Sequence, residues 1–302
     1  MNPATVLEIP RNLYDFQPRY LELGGYRLHF LDEGRGDPLV MVHGNPSWSF
    51  MYRRLASSLR SRFRVIVPDH IGCGFSDKPD DSVYDYILES RIRDLETLLE
   101  TLGVSDNITL ALHDWGGLIG MGYATRHPDR IARIILLNTA AFHLPEGKRL
   151  HWSILYCRRS RLAGYMIRRL NLFARIASRI GCRQNPMSAR VRKAYLAPYN
   201  NWENRRAILR FIQDIPLEPS DPSYEPVSEI EKQLNRLSDI PVLICWGERD
   251  FVFDLEFLKE WERRFPAAEV HRFPKAGHYV LEDAFDRIFP LIHRFLDDSR
   301  GN

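Results

Sequence analysis

The chain has 302 residues, 44% of them hydrophobic and 27% charged, which is enough apolar surface to bury the core of an ordinary globular protein. A net charge of +3 gives no field strong enough to predict a nucleic-acid partner, and no run approaches the roughly 18 consecutive apolar residues of a membrane span. Met1 to Tyr20 carries charges and prolines where a secretory signal has an apolar run, so a cytoplasmic protein is expected, and the widely separated Cys73, Cys157, Cys182 and Cys245 read as reduced thiols with no metal site.

Along the chain, Tyr20 to Leu23 and Tyr26 to Asp32, about Gly24-Gly25, predict an antiparallel hairpin. Three short apolar strands ending at Gly or Asp come next, Pro38 to Gly44, Val65 to Asp69 and Ile108 to Asp114, each leading into a helical pattern. Behind the third, Gly116, Gly117, Gly120 and Gly122 let a helix over Gly116 to His127 pack tightly on a sheet. Ala132 to Asn138, Val242 to Gly247 and Val270 to Phe273 are again strand-like. Strands alternating with helices predict an α/β protein with a mostly parallel sheet covered on both faces.

Between Phe142 and about Asn235 the strand signals give way to helical, aromatic- and Arg-rich sequence. The expected organisation is one core, residues 1–142 and 236–302, interrupted by a helical cap, residues 143–235. Arg158, Arg159, Arg161, Arg168, Arg169, Arg175 and Arg179 crowd into that insertion. Their first reading is the solvated face of cap helices; their second is a docking face for a membrane surface, an acidic partner, a second copy or a multi-enzyme assembly.

The chemistry collects at strand ends. Leu112-His113-Asp114-Trp115-Gly116 sits where a strand turns sharply into a helix, the geometry of a nucleophile elbow, with Asp114 at the position usually held by serine. An Asp before a Gly is by itself an ordinary turn or helix cap. Two further residues give it a chemical reading: Asp250, in Gly247-Glu248-Arg249-Asp250, ends the penultimate strand, and His278, in Gly277-His278, follows the last one. Nucleophile, acid and histidine in that chain order form a triad. A carboxylate nucleophile makes an ester whose carbonyl belongs to the enzyme, so His278 has to activate water against Asp114 while Asp250 orients the imidazole, with Asp254 close enough in sequence to share that role. The backbone amides of Asn45 and Trp115 are expected at the oxyanion, and the Asn45 amide and Trp115 indole side chains are expected to converge on a departing anion.

The sequence resembles the haloalkane dehalogenases of the α/β-hydrolase fold. The resemblance runs from about Tyr20 to Phe295 and rests on His43-Gly44-Asn45-Pro46-Ser47-Trp48, Val67-Pro68-Asp69-His70-Ile71-Gly72, His113-Asp114-Trp115-Gly116-Gly117 and Gly277-His278. It implies Asp114 as nucleophile, His278 as base, and Asn45 with Trp115 as the halide-binding pair, with no cofactor. One branch of that family carries its triad acid just after the sixth strand, but Leu136-Leu137-Asn138-Thr139-Ala140 offers none, so the role falls to Asp250. Asn138 to Phe142, Arg210 to Pro216 and Asp250 to Asp254 look most like the third subfamily, which includes β-lactone decarboxylases of olefin biosynthesis. The expected activity is therefore displacement of halide from a small apolar haloalkane followed by hydrolysis, with decarboxylation of a cis-β-lactone to a long-chain cis-alkene as the alternative. Epoxide hydrolases share the His-Asp-Trp-Gly-Gly run but need two cap tyrosines, for which Tyr156, Tyr165, Tyr195 and Tyr199 are candidates. A fluoroacetate dehalogenase would have Arg in place of Trp115, and a non-catalytic receptor or scaffold on this fold would need no triad.

Overall fold

A computed structural model describes residues 9–298; the extreme N-terminal part of the stretch weighed above as a secretory signal lies outside them. Eight strands form one sheet in the order β1-β2-β4-β3-β5-β6-β7-β8. The hairpin β1 (Arg19–Leu23) and β2 (Tyr26–Glu33) joins antiparallel; β3 (Pro38–Val42), β4 (Arg64–Pro68), β5 (Ile108–Asp114), β6 (Ile131–Thr139), β7 (Val242–Gly247) and β8 (Glu269–Phe273) run parallel. The predicted hairpin and alternation are all present, with ends displaced by a residue or two. Pro38 to Gly44, for example, leaves the sheet at Val42, because the His43 carbonyl is taken by the His70 ring and the Asn45 N–H by Asp114.

Side chains alternate between two cores, as a pleated strand buried on both sides requires. From β3, Val40 and Val42 face one core with the helices α2 (Leu88–Thr101), α3 (Trp115–Arg126) and α10 (Leu255–Arg264). Leu39 and Met41 face the other, with α1 (Arg53–Leu59), the short α11 (Val280–Asp283) and α12 (Phe285–Asp298). The chain runs from β3 outward to β4, then crosses back to β5 on the other side of β3. That reversal opens a crevice at the carboxyl ends of β3 and β5, where ligands of parallel sheets bind.

Among the described residues, six α-helices are inserted between β6 and β7: α4 (Trp152–Arg159), α5 (Arg161–Leu170), α6 (Leu172–Ile180), α7 (Ala189–Leu196), α8 (Arg206–Gln213) and α9 (Tyr224–Gln233). Ile154, Ile167, Ala174, Tyr199, Ile208 and Ile212 make a small core of their own among these helices, while Val227 and Ile230 of α9 join the core beside α3. No helix among the described residues is long and apolar enough to cross a membrane.

Candidate active site

Asp114 closes β5 with φ 53° and ψ −126°, a backbone conformation that L-residues adopt only when their surroundings enforce it. Here the enforcing contacts are close backbone approaches. A Cβ on Gly44 would overlap the Asp114 carboxylate, and one on Gly116 would strike the Val42 carbonyl. The Thr139 hydroxyl donates to the Asp114 carbonyl from the neighbouring β6. The elbow thus lifts the carboxylate into the crevice at the switch point.

The other expected residues meet it there. The Asn45 backbone N–H donates to Asp114 Oδ1 at 2.6 Å, and the Trp115 backbone N–H also bonds the carboxylate. His278 Nδ1 lies 2.8 Å from Asp250 Oδ2, and since a carboxylate only accepts, the imidazole donates from Nδ1. Its Nε2 faces Asp114 Oδ2 at 3.8 Å. Burial pushes the Asp114 carboxyl above its ordinary value, against the His278 charge and the two backbone donors. Burial works to lower His278, but the charge and hydrogen bond of Asp250, with the charge of Asp114, outweigh it and hold the imidazole above its usual 6.5.

Asp254, considered for the same role, caps α10 through the Glu256 N–H and pairs with Lys148, whereas the imidazole bonds Asp250. Asp250 is instead held by a residue that sequence reasoning passed over. Asn138, with φ 40°, donates from Nδ2 to Asp250 Oδ2 at 3.2 Å and to the Gly247 carbonyl at 2.9 Å, while its Oδ1 accepts from the Gly247 N–H at 2.8 Å. The Val252 N–H takes the other Asp250 oxygen at 2.8 Å. The sequence does carry a signal, an Asn at the end of β6 where one branch of the resembling family has its acid and within the run that looks like the third subfamily.

The leaving-group pair departs in part from expectation. Asn45 lines the cavity, but its side-chain Nδ2 donates to the Ile208 carbonyl of α8 at 3.2 Å, tying the amide to the inserted helices. A carboxamide has two N–H groups, so one remains for an anion. Trp115 also lines the cavity and packs on Phe211 at 5.3 Å. Behind both rings lies the buried guanidinium of Arg91, 3.8 Å over Phe211 and 5.7 Å from Trp115, paired with Asp214 at 3.0 Å.

Above Asp114 stands a cavity of about 780 Å³. Phe142, Phe251 and Phe253 line it from the core loops, and Ile154, Leu162, Ile167, Phe173 and Ile176 from the inserted helices. The half-buried Cys157 is the one cysteine in its wall. Of the four tyrosines considered for an epoxide hydrolase, only Tyr156 reaches this wall: Tyr195 donates to Glu282, Tyr199 to the Ser47 carbonyl, and Tyr165 lies exposed against Trp202. Tyr279 also lines the cavity, but from the core loop after β8, so among the described residues the inserted helices bring one tyrosine to the wall and not the two that an epoxide hydrolase would need there.

Comparison with known proteins places this geometry in context. Residues 37–285 match the family described as the alpha/beta hydrolase fold. A cis-3-alkyl-4-alkyloxetan-2-one decarboxylase of Shewanella oneidensis is 53% identical over 95% of this chain and 90% of its own length. Haloalkane dehalogenase 2 of Mycobacterium tuberculosis is 31% identical over 94% of this chain and 96% of its own. The structure of haloalkane dehalogenase DbeA from Bradyrhizobium elkani superposes with a TM-score of 0.85 at 21% identity, covering 95% of this chain and 99% of that one, a likeness of fold. With the elbow, the triad order and the inserted helices in place, the chain belongs to the α/β-hydrolase fold family.

Proposed function

We propose that the protein is a β-lactone decarboxylase, converting a cis-3,4-dialkyl-oxetan-2-one to a cis-alkene and carbon dioxide. The observation that carries this reading is the full-length similarity, at 53% identity, to a protein named for that reaction, against 31% for a haloalkane dehalogenase. The large apolar cavity over Asp114 supports it, since two alkyl arms have to be buried around one reacting carbon. The dehalogenase reading placed first from sequence becomes the second reading, favoured by the Asn45 and Trp115 donors.

The residues can perform the decarboxylation with atoms balanced. Asp114 attacks C4 of the lactone from the side opposite the ring oxygen; the C4–O bond breaks and its electron pair becomes a carboxylate. The free Asn45 N–H and the Trp115 indole N–H are suited to hold that anion in an apolar site. The bond from C3 to the carboxylate then breaks, its electrons form the C3–C4 double bond, and Asp114 leaves C4 with its own pair restored. Inversion at C4 followed by anti elimination yields the cis-alkene. No proton or water is consumed, so His278 serves as a cation beside Asp114. In the dehalogenase route, by contrast, His278 has to be neutral and take a proton from water.

The test is kcat/KM for a dialkyl cis-β-lactone, 1-bromobutane and 1,2-dibromoethane, with alkene and bromide both measured, because that ratio reports differential transition-state binding. Alkene and carbon dioxide from the lactone with little bromide release are expected. Efficient bromide release with no alkene overturns the proposal and leaves a haloalkane dehalogenase.

A further inference from the structure

Residues 147–202 contain thirteen Lys and Arg and no Asp or Glu, leaving the rest of the chain at a net charge of −10. This cationic stretch builds α4 to α7, and on α5 and α6 it produces an unusual outward face. On α5, Ala163, Gly164 and Ile167 are buried, while Arg161, Leu162, Tyr165, Arg169 and Leu170 are exposed. On α6, Ala174 and Ser178 are buried, and Leu172, Arg175, Ile176 and Arg179 form an exposed stripe at helical spacing. A helix face in water is normally polar; here large apolar side chains alternate with cations. Arg161, Arg169, Arg175 and Arg179 have no ion-pair partner among the described residues, whereas Arg158 and Arg159 are paired with Asp221 and Glu218.

The same face is continuous with the cavity mouth. Leu162, Leu172 and Ile176 are exposed and also line the cavity, as do Trp152 and Tyr156 of α4, with Trp152 74% exposed. Apolar side chains around an opening, interleaved with unpaired arginines, are the chemistry of a surface that lies in the headgroup region of an anionic bilayer. A protein partner would have to supply acidic groups and a matching apolar relief. A bilayer supplies both, and dissolves the apolar substrate that the decarboxylase reading calls for. We propose that the outer face of α4 to α6 docks the enzyme on anionic lipid with its cavity mouth facing the membrane. The docking rests on the surface itself and draws on the proposed function only for the apolar nature of the substrate.

The test is co-sedimentation of the full chain with vesicles of phosphatidylglycerol mixed with phosphatidylcholine, and with pure phosphatidylcholine. Two variants carry it, R169Q/R175Q/R179Q and Y165S/L170S, all exposed positions outside the cavity wall, with circular dichroism and turnover of detergent-dispersed substrate as checks on folding. The wild-type chain should bind the anionic vesicles, release at high salt, and largely ignore the neutral ones. Neutralising one arginine near such a surface lowers the partition coefficient about fivefold, so the triple variant should lose about a hundredfold, and the apolar variant should also bind more weakly. Absence of binding to anionic vesicles overturns the docking, as does equal binding to neutral vesicles. Self-association that both variants abolish, without vesicle binding, also overturns it and assigns the face to a second copy. Vesicle binding is read without turnover, so failure here and failure of the decarboxylase reading are separate results.

Discussion

At the level of single side chains, substitutions of Asp114 and His278 test the proposed chemistry against its rival. Asp114→Ala should abolish either activity, to below about one per cent, with an unchanged circular dichroism spectrum, since no neighbouring group makes the covalent bond to carbon. His278→Gln should divide them: a bromoalkane leaves an ester adduct on Asp114 visible by intact mass, while the lactone still turns over, because elimination restores Asp114 without water. A lactone adduct that accumulates in this variant would mean the second step is hydrolytic. The pH profile carries the same distinction. Hydrolysis needs neutral His278, so its rate rises with pH through a value above 6.5; decarboxylation needs ionised Asp114 beside the His278 cation, so its rate rises earlier, through a value displaced upward from 3.8, and declines as His278 loses its proton. Asn138→Ala should lower kcat about ten- to a hundredfold with KM little changed, by letting Asp250 drift from the imidazole, and should move the hydrolytic profile to lower pH as His278 loses its partner. That Asp114, Asp250 and His278 meet was legible in sequence, because strand ends and chain order confine such groups to one edge of the sheet. Asn138 and the Ile208 contact of Asn45 were not, because each depends on where a loop distant in sequence comes to rest.

Among the elements, α2 shows what periodicity conveys and what it conceals. Its apolar residues Leu88, Ile92, Leu95, Leu98 and Leu99 mark a buried face, and that face also takes in two charged side chains, Arg91 and Asp94. Burial raises the Asp94 carboxyl to about 6, against the hydrogen bond from the Tyr84 hydroxyl at 2.7 Å. A folded value above the ordinary 3.8 means that protonation favours the fold: its contribution is complete below about pH 4 and is lost as the pH rises through about 6. Asp94→Asn, which keeps an acceptor for Tyr84 and removes the charge, should raise the unfolding free energy at pH 8 by about 1–3 kcal/mol and leave it unchanged near pH 4, as urea titrations at the two pH values will show. The strands were more legible than the inserted helices: strands buried on both sides write nearly continuous apolar runs, whereas α5 and α6 place apolar residues on their outer face as well as their inner one, and amphipathic pattern alone misassigns them.

Across the whole molecule, the inserted helices are bolted to the sheet. Arg91 of α2 pairs with Asp214 just beyond α8, the Tyr199 hydroxyl donates to the Ser47 carbonyl, and Asn45 bonds Ile208. We therefore expect one cooperative unfolding transition, coincident by tryptophan fluorescence and far-UV circular dichroism, with the inserted helices losing structure together with the core. Arg91→Met should lower stability by about 3–5 kcal/mol, because it leaves the Asp214 carboxylate buried without its cation, and Asp214→Asn added to it should recover most of the loss. Separate transitions in the wild-type chain would show that these ties do not couple the two parts.

Of the four cysteines, Cys73, Cys182 and Cys245 are buried, and Cys157 alone stands in the cavity wall. Burial raises its pKa, so it reacts slowly with aqueous alkylating agents. It is nonetheless within reach of a reagent small and apolar enough to enter. The natural sequence therefore carries a built-in reporter: an apolar maleimide should label Cys157 and spare the other three, and an occupant of the cavity should protect it, which measures binding by mass shift before any product is formed.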